Sequence, residues 1–165
     1  MTLHPTSFSG APSVTPPAAA PRSLVERRLD TGLCLRHPDR LFVFGDNLVG
    51  VGNAGQALIR TCENAFGIPT KRFPAMTPDS FFSDQDDEFE AVDTRLNRLL
   101  EHALSGRTVV FPRDGLGTGL AQLPARSPRL FRHLCVRLNR DYGLVMSSSG
   151  FSHAGAIRER RSEGP

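Results

Sequence analysis

Short, unbroken apolar runs alternate along this chain with longer stretches of helical periodicity. Leu41-Phe42-Val43-Phe44 is one such run, stopped by Gly45, and Thr108-Val109-Val110-Phe111 is another, ended by Pro112. Runs this short, rich in β-branched and aromatic residues, predict strands buried on both faces. Gly143-Leu144-Val145-Met146 is a third candidate. Residues 66–70 are a weaker one, because Pro69 has no N–H for a central ladder. Residues 32–35 read as an edge strand. Over 87–104, Phe89, Val92, Leu96, Leu99, Leu100, Ala103 and Leu104 recur at helical spacing, and Gly106 follows as a stop. Over 127–140, Ser127 suits an N-cap, Pro128 suits the first turn, and Leu130, Phe131, Leu134, Cys135 and Leu138 form the apolar face. A third helix is expected over 53–65, with Asn53 as cap, Gln56 reaching back in a capping box, and Ala57, Leu58 and Cys62 inward. Such alternation predicts an α/β fold: a three-layer sandwich with a mostly parallel sheet and helices on both faces.

Composition sets the limits of this domain. Residues 1–26 are rich in Pro, Ala, Ser and Thr and poor in large apolar groups, so a disordered tail is expected there. Residues 27–152 form the expected domain and 153–165 a second tail. A chain of 165 residues fits one domain. Cys34, Cys62 and Cys135 make no CxxC pair, which argues against a disulfide framework or a structural zinc site. No apolar run approaches the ~18 residues of a membrane span, and the start lacks the pattern of a signal peptide. A cytoplasmic setting is expected. Net charge is only +3. Arg158, Arg160 and Arg161 alternate with Glu159 and precede Glu163, as on a solvated tail, and there is no Trp and one Tyr. Both features argue against nucleic acid as partner.

Candidate chemistry lies where the strands end, since ligands of open α/β sheets sit outside the carboxyl ends of the strands. After 41–44 comes Gly45-Asp46-Asn47-Leu48-Val49-Gly50-Val51-Gly52-Asn53-Ala54-Gly55; after 108–111 comes Pro112-Arg113-Asp114-Gly115-Leu116-Gly117-Thr118-Gly119. Glycines let a backbone turn successive N–H groups toward one anion, and a following helix start adds its dipole. Simple tight turns are the competing explanation for Gly50, Gly52 and Gly55, and a plain connector for Gly115, Gly117 and Gly119. Both loops together, with the Thr118 hydroxyl, point to one anion pocket. Lys71 and Arg113 follow strand ends and could neutralise phosphate, although exposed surface charge is the commoner fate of such residues. Phe81 and Phe82 are either core anchors or parts of a lid. Asp84, Asp86, Asp87 and Glu88 sit at a helix start, where the dipole favours them; no metal or cofactor is expected.

Asn47, with the glycine-rich run that leads toward Ala57, resembles the first signature of macrodomains, the ADP-ribose-binding fold. Asp114-Gly-Leu-Gly-Thr-Gly-Leu-Ala-Gln-Leu-Pro124 resembles their second signature, the phosphate-binding loop. The stretches FGDNLVG, GIPTKR, FFSD and FPRDGLGTGLAQLP are also similar to an uncharacterised family of small phage and bacterial proteins related to that fold. The resemblance implies a pocket for ADP-ribose or an NAD-derived, nucleotide-like phosphate ester, bound through Gly45, Gly50, Gly52, Asn53, Gly55, Gly115, Gly117, Thr118 and Gly119. In a hydrolase of an ADP-ribosyl derivative, Asn47 would orient a ribose hydroxyl or water, and Asp46 or Asp114 would serve as general base. Gly45-Asp46-Asn47 departs from the paired-asparagine strand end, Val51 and Asn53 interrupt the glycine run, and no acidic residue stands out to hold adenine. Two alternatives remain open in the sequence: a hydrolase or transferase acting on another nucleotide or phosphorylated metabolite, and a non-catalytic interaction protein.

Overall fold

The computed structural model describes residues 20–154. Four strands, β1 (Ser23–Glu26), β2 (Arg40–Asn47), β3 (Ala65–Lys71) and β4 (Thr108–Pro112), form one parallel sheet in the order β1-β4-β2-β3. The two apolar runs, in β2 and β4, lie at its centre, as residues buried on both faces must. Alternation along them divides the core. Leu41 and Val43 of β2, Val109 and Phe111 of β4, and Phe66 and Ile68 of β3 pack on one face with α2 (Asp86–Leu104) and α4 (Pro128–Tyr142). Phe42, Phe44 and Val110 pack on the other with Leu29, Cys34 of α1 (Thr31–Arg36), and Ala57 and Ile59 of a short 3-10 turn (Gly55–Ile59). The fold is therefore α/β, a parallel sheet flanked by helices. Phe42 and Phe111 are wholly buried, and each contributes about 2–3 kcal/mol by leaving water.

Several expectations are corrected. Residues 23–26, assigned to the disordered tail, form β1, because Leu24 and Val25 pair with β4 at the sheet's edge. Residues 1–19 of that expected tail, and 155–165 of the other, lie outside the described residues, and His153, also assigned to a tail, closes the last strand (Gly150–His153). Residues 32–35 are helical, not an edge strand: the Asp30 side chain accepts the Leu33 N–H at 2.8 Å and starts α1. Residues 53–65 do not form a helix. Only Gly55–Ile59 turn, in 3-10 form, with Ala54 rather than Asn53 at the cap position and no side-chain cap. Gly143–Met146 does not join the parallel sheet: β5 (Leu144–Ser147) pairs antiparallel with β6 (Gly150–His153) in a separate hairpin. Pro69 is accommodated because β3 is an edge strand, and Arg95 Nε covers the edge by donating to the Gly67 carbonyl at 2.9 Å.

A long-range cap joins the two large helices. Ser127 stands at the N-cap of α4, but its side chain makes no cap bond. Its hydroxyl donates instead to Asp84, 2.6 Å away, and the Asp84 carboxylate accepts the Leu130 N–H at 2.9 Å and the Arg129 N–H at 3.3 Å. Asp84 has φ of 63°, a left-handed conformation that Asp and Asn tolerate better than most residues. Glu88, fully buried at the start of α2, accepts from the Ser83 and Gln85 N–H groups and from Arg72. The acidic run 84–88 thus organises helix starts. Among the described residues no group of His, Cys, Asp and Glu could hold a metal, and no helix is long and apolar enough to cross a membrane. Phe81 and Phe82 are both buried.

Burial works against the Asp84 charge, but the Ser127 hydroxyl and the Leu130 and Arg129 amides outweigh it and hold its pKa below the ordinary carboxylate value. A depressed folded pKa gives stability that is fully present above the unfolded value of about 4 and lost as pH falls through the folded value. Asp84→Asn, which keeps the left-handed turn, should cost about 1 kcal/mol at pH 7, and Asp84→Ala, which also strains it, about 2 kcal/mol. Urea denaturation checks both. The gap between wild type and Asp84→Asn should close below about pH 4.

Candidate functional site

The carboxyl ends of all four parallel strands open onto one crevice of about 630 Å³. Gly45 lines it from β2, Thr70 from β3, Pro112 from β4, and Arg27 and Arg28 from the chain just beyond β1; Ala54, Gly55, Gln56, Asp114 and residues 117–121 complete the wall. Neighbouring strands bring the two glycine-rich loops together here, and one side chain joins them. Gln56 Oε1 accepts the Gly45 N–H at 3.0 Å, and Gln56 Nε2 donates to the Gly115 carbonyl at 2.7 Å. One acceptor and one donor are both needed, which a primary amide supplies and a carboxylate does not. Engagement in this bridge is the reason Gln56 forms no capping box.

Beyond that bridge the second loop presents its backbone. Gly115 and Gly117 have φ of 89° and 75°, the alternation that turns N–H groups into a concave nest. Among the described residues, the N–H groups of Leu116 through Ala121 find no acceptor in the protein. Glycine at 117 is also demanded by packing, since a Cβ there would stand 2.9 Å from Leu123 and 3.1 Å from Thr70. Gly119 differs: a Cβ would meet nothing within 4 Å. The Thr118 hydroxyl donates to the Asp114 carbonyl at 2.6 Å and so tightens the loop instead of facing a ligand.

The expected site residues divide between two cavities. Gly45, Gly55, Asp114, Gly117, Thr118 and Gly119 line the crevice. Asp46, Asn47 and Gly50 line a separate groove of about 490 Å³ between β3 and α2, with Gly67, Thr94 and Arg95. The single pocket expected from both loops is therefore corrected: the end of β2 forms a wall of both cavities. Asp46 is held by Arg60, at 2.6 Å, and by the Asn47 N–H at 2.6 Å. The Asn47 amide donates to the Val51 carbonyl at 2.8 Å and closes its own loop. The three residues considered for catalysis do not converge. Gly52, Asn53, Lys71, Arg113 and Gly115 line neither cavity. Arg113 turns toward the hairpin, its Nε 3.3 Å from the Ser149 carbonyl. Arg27, Arg28, Gln56 and Thr70 were missed. Two adjacent arginines after an apolar pair were the available signal for the first two, obscured by assigning 23–26 to a tail.

The bridge makes a specific forecast. Gln56→Ala should destabilise the domain by about 1–3 kcal/mol, from two lost bonds and partly buried backbone groups left unpaired. Gln56→Glu should be no better at neutral pH, because a carboxylate faces the Gly115 carbonyl; relative to Gln56→Ala it should recover as pH falls and the acid regains a proton to donate. Urea titrations of both variants at several pH values read this directly.

No curated protein and no solved structure matches the chain. A family model matches residues 24–137, a span that holds β1 through most of α4 and every residue lining the crevice. The chain accordingly belongs to the family that this model describes, a family of unknown function (DUF7831).

Proposed function

We propose that the crevice binds a nucleotide-like phosphate ester, ADP-ribose or an NAD-derived relative, with a phosphate in the 116–121 nest. The observation that carries this reading is the run of unpartnered N–H groups from Leu116 to Ala121, set at the carboxyl ends of parallel strands beside Arg27 and Arg28. Backbone N–H groups fix an anion's position and the arginines supply its counter-charge. A macrodomain-like fold and a cytosolic setting belong to the same reading. Support for the first is the parallel sheet with its ligand crevice; for the second, three free cysteines among the described residues.

Binding is better supported than turnover. Asp114 is the one carboxylate in the crevice wall, and it is exposed. If an ADP-ribosyl ester is hydrolysed there, Asp114 is the group placed to take the proton from water. Asp46, tied to Arg60 in the other groove, is not.

Calorimetry with ADP-ribose on the full chain tests the proposal. Heat of binding is expected, with affinity reduced roughly ten-fold by Arg27→Ala or Arg28→Ala, about 1.4 kcal/mol each. Gly119→Val should keep the wild-type Tm, since open space surrounds that position, yet abolish binding by covering the nest. No heat and no thermal shift at millimolar ADP-ribose would sink the proposal.

A further inference from the structure

Lysine occurs once in this chain; the other 19 of its 20 Lys and Arg residues are arginines. That one lysine, Lys71, ends the edge strand β3 and is only 6% exposed. Its ammonium contacts the Met76 sulfur at 3.3 Å and lies 4.6 Å from the centre of the Phe81 ring. Among the described residues no carboxylate pairs with it, whereas Arg60, Arg72 and Arg137 all have acidic partners. Arg126 lies over the same ring, its guanidinium carbon 4.4 Å from the centroid. Its Nε donates to Gln122 at 3.1 Å, and no acidic side chain among the described residues meets it. Two cations therefore crowd one phenyl ring without a counter-charge. Contact with a ring offsets only part of what taking an ion out of water costs. Burial accordingly pushes the Lys71 ammonium below the ordinary lysine pKa.

The place of this pair in the fold gives it a use. Neither side chain lines the crevice, but each is anchored at its margin: Thr70, next to Lys71 in the chain, and Ala121, next to the Gln122 that holds Arg126, are part of its wall. An antiparallel bridge between Lys71 and Phe81 fixes the ring beside the strand end. The neighbouring Arg72 is neutralised by Asp87 and Glu88, whereas Lys71 and Arg126 have no such partner among the described residues. We propose that Lys71 and Arg126 form a second phosphate subsite beside the crevice. The proposal rests on the crevice reading for its ligand, whose diphosphate would place one phosphate in the nest and the other at this pair. A compact ammonium and a guanidinium fork suit a dianionic phosphoryl group.

The single lysine makes the test direct. Full-length protein labelled with ¹⁵N-lysine gives one lysine side-chain signal, which is followed during titration with inorganic phosphate at constant ionic strength. A saturable shift is expected, weakened roughly five-fold in Arg126→Ala. A shift no larger than chloride produces, or one unaltered by Arg126→Ala, overturns the subsite. ADP-ribose distinguishes the two readings. Heat of binding with an unmoved Lys71 signal overturns the subsite and leaves the crevice reading standing. A saturable phosphate shift without any ADP-ribose binding removes the crevice reading and upholds the subsite.

Discussion

The bridge made by Gln56 is the interaction on which the rest of the crevice depends. Two loops that begin at different strands are held together by one primary amide, which reaches Gly115 from 59 residues away in the chain. Glycine backbones carry no side chains with which to anchor themselves, so loops rich in glycine need such an external tie to hold one shape. The tie links the Gly45 N–H to the Gly115 carbonyl, beside the part of the crevice wall that Gly45, Gln56 and Gly117 form. The N–H groups of 116–121 have no acceptor within the described residues. A fixed backbone and unmet hydrogen-bonding capacity are the two conditions of a preorganised anion site.

The same economy recurs elsewhere. Asp84 completes the start of α4 from outside that helix, and Glu88 ties the chain before α2 to Arg72. These contacts set the path of residues 72–85, and with it the position of Phe81 against Lys71 and Arg126. The end of β2 contributes Gly45 to the crevice and Asp46 to the groove on the α2 side. Arg60 secures Asp46 and the Val51–Gly52 carbonyls together, so the loop between the two cavities is rigid at its root. Structural roles thus absorb the charge of Asp46, Arg60, Arg72 and Glu88, whereas Arg27 and Arg28 line the crevice without an acidic partner among the described residues.

How far this could be read from the sequence depended on how local each determinant is. Strands β2 and β4 and helices α2 and α4 were legible because each carries its own periodicity and its own stop. Their relative placement in a layered α/β fold followed from alternation. Elements whose determinants are distant were not legible. Residues 23–26 become a strand only because β4 lies beside them. Residues 32–35 become helix because Asp30 caps them, against their apolar run. Residues 53–65 read as a helix because Asn53 and Gln56 match a capping pattern, whereas tertiary partners claim Gln56. At the site, glycine spacing in 114–119 pointed to the nest, yet the sequence could not show that Asp46 and Asn47 turn away from it. Alternation along the strand separates Gly45 from Asp46, and the register shift between Asp46 and Asn47 lets both line the groove beside α2. The burial of Lys71 was equally hidden, since it depends on Phe81 and Met76 folding over it.

The central claim is that the 116–121 backbone receives a phosphate. Amide chemical-shift mapping of the full chain with ADP-ribose tests it most directly. The account predicts that the largest shifts fall on the N–H groups of Leu116, Gly117, Thr118, Gly119, Leu120 and Ala121. Shifts concentrated on Leu48, Thr94 and Arg95 in the groove beside α2, or no shifts at saturating ligand, would contradict it.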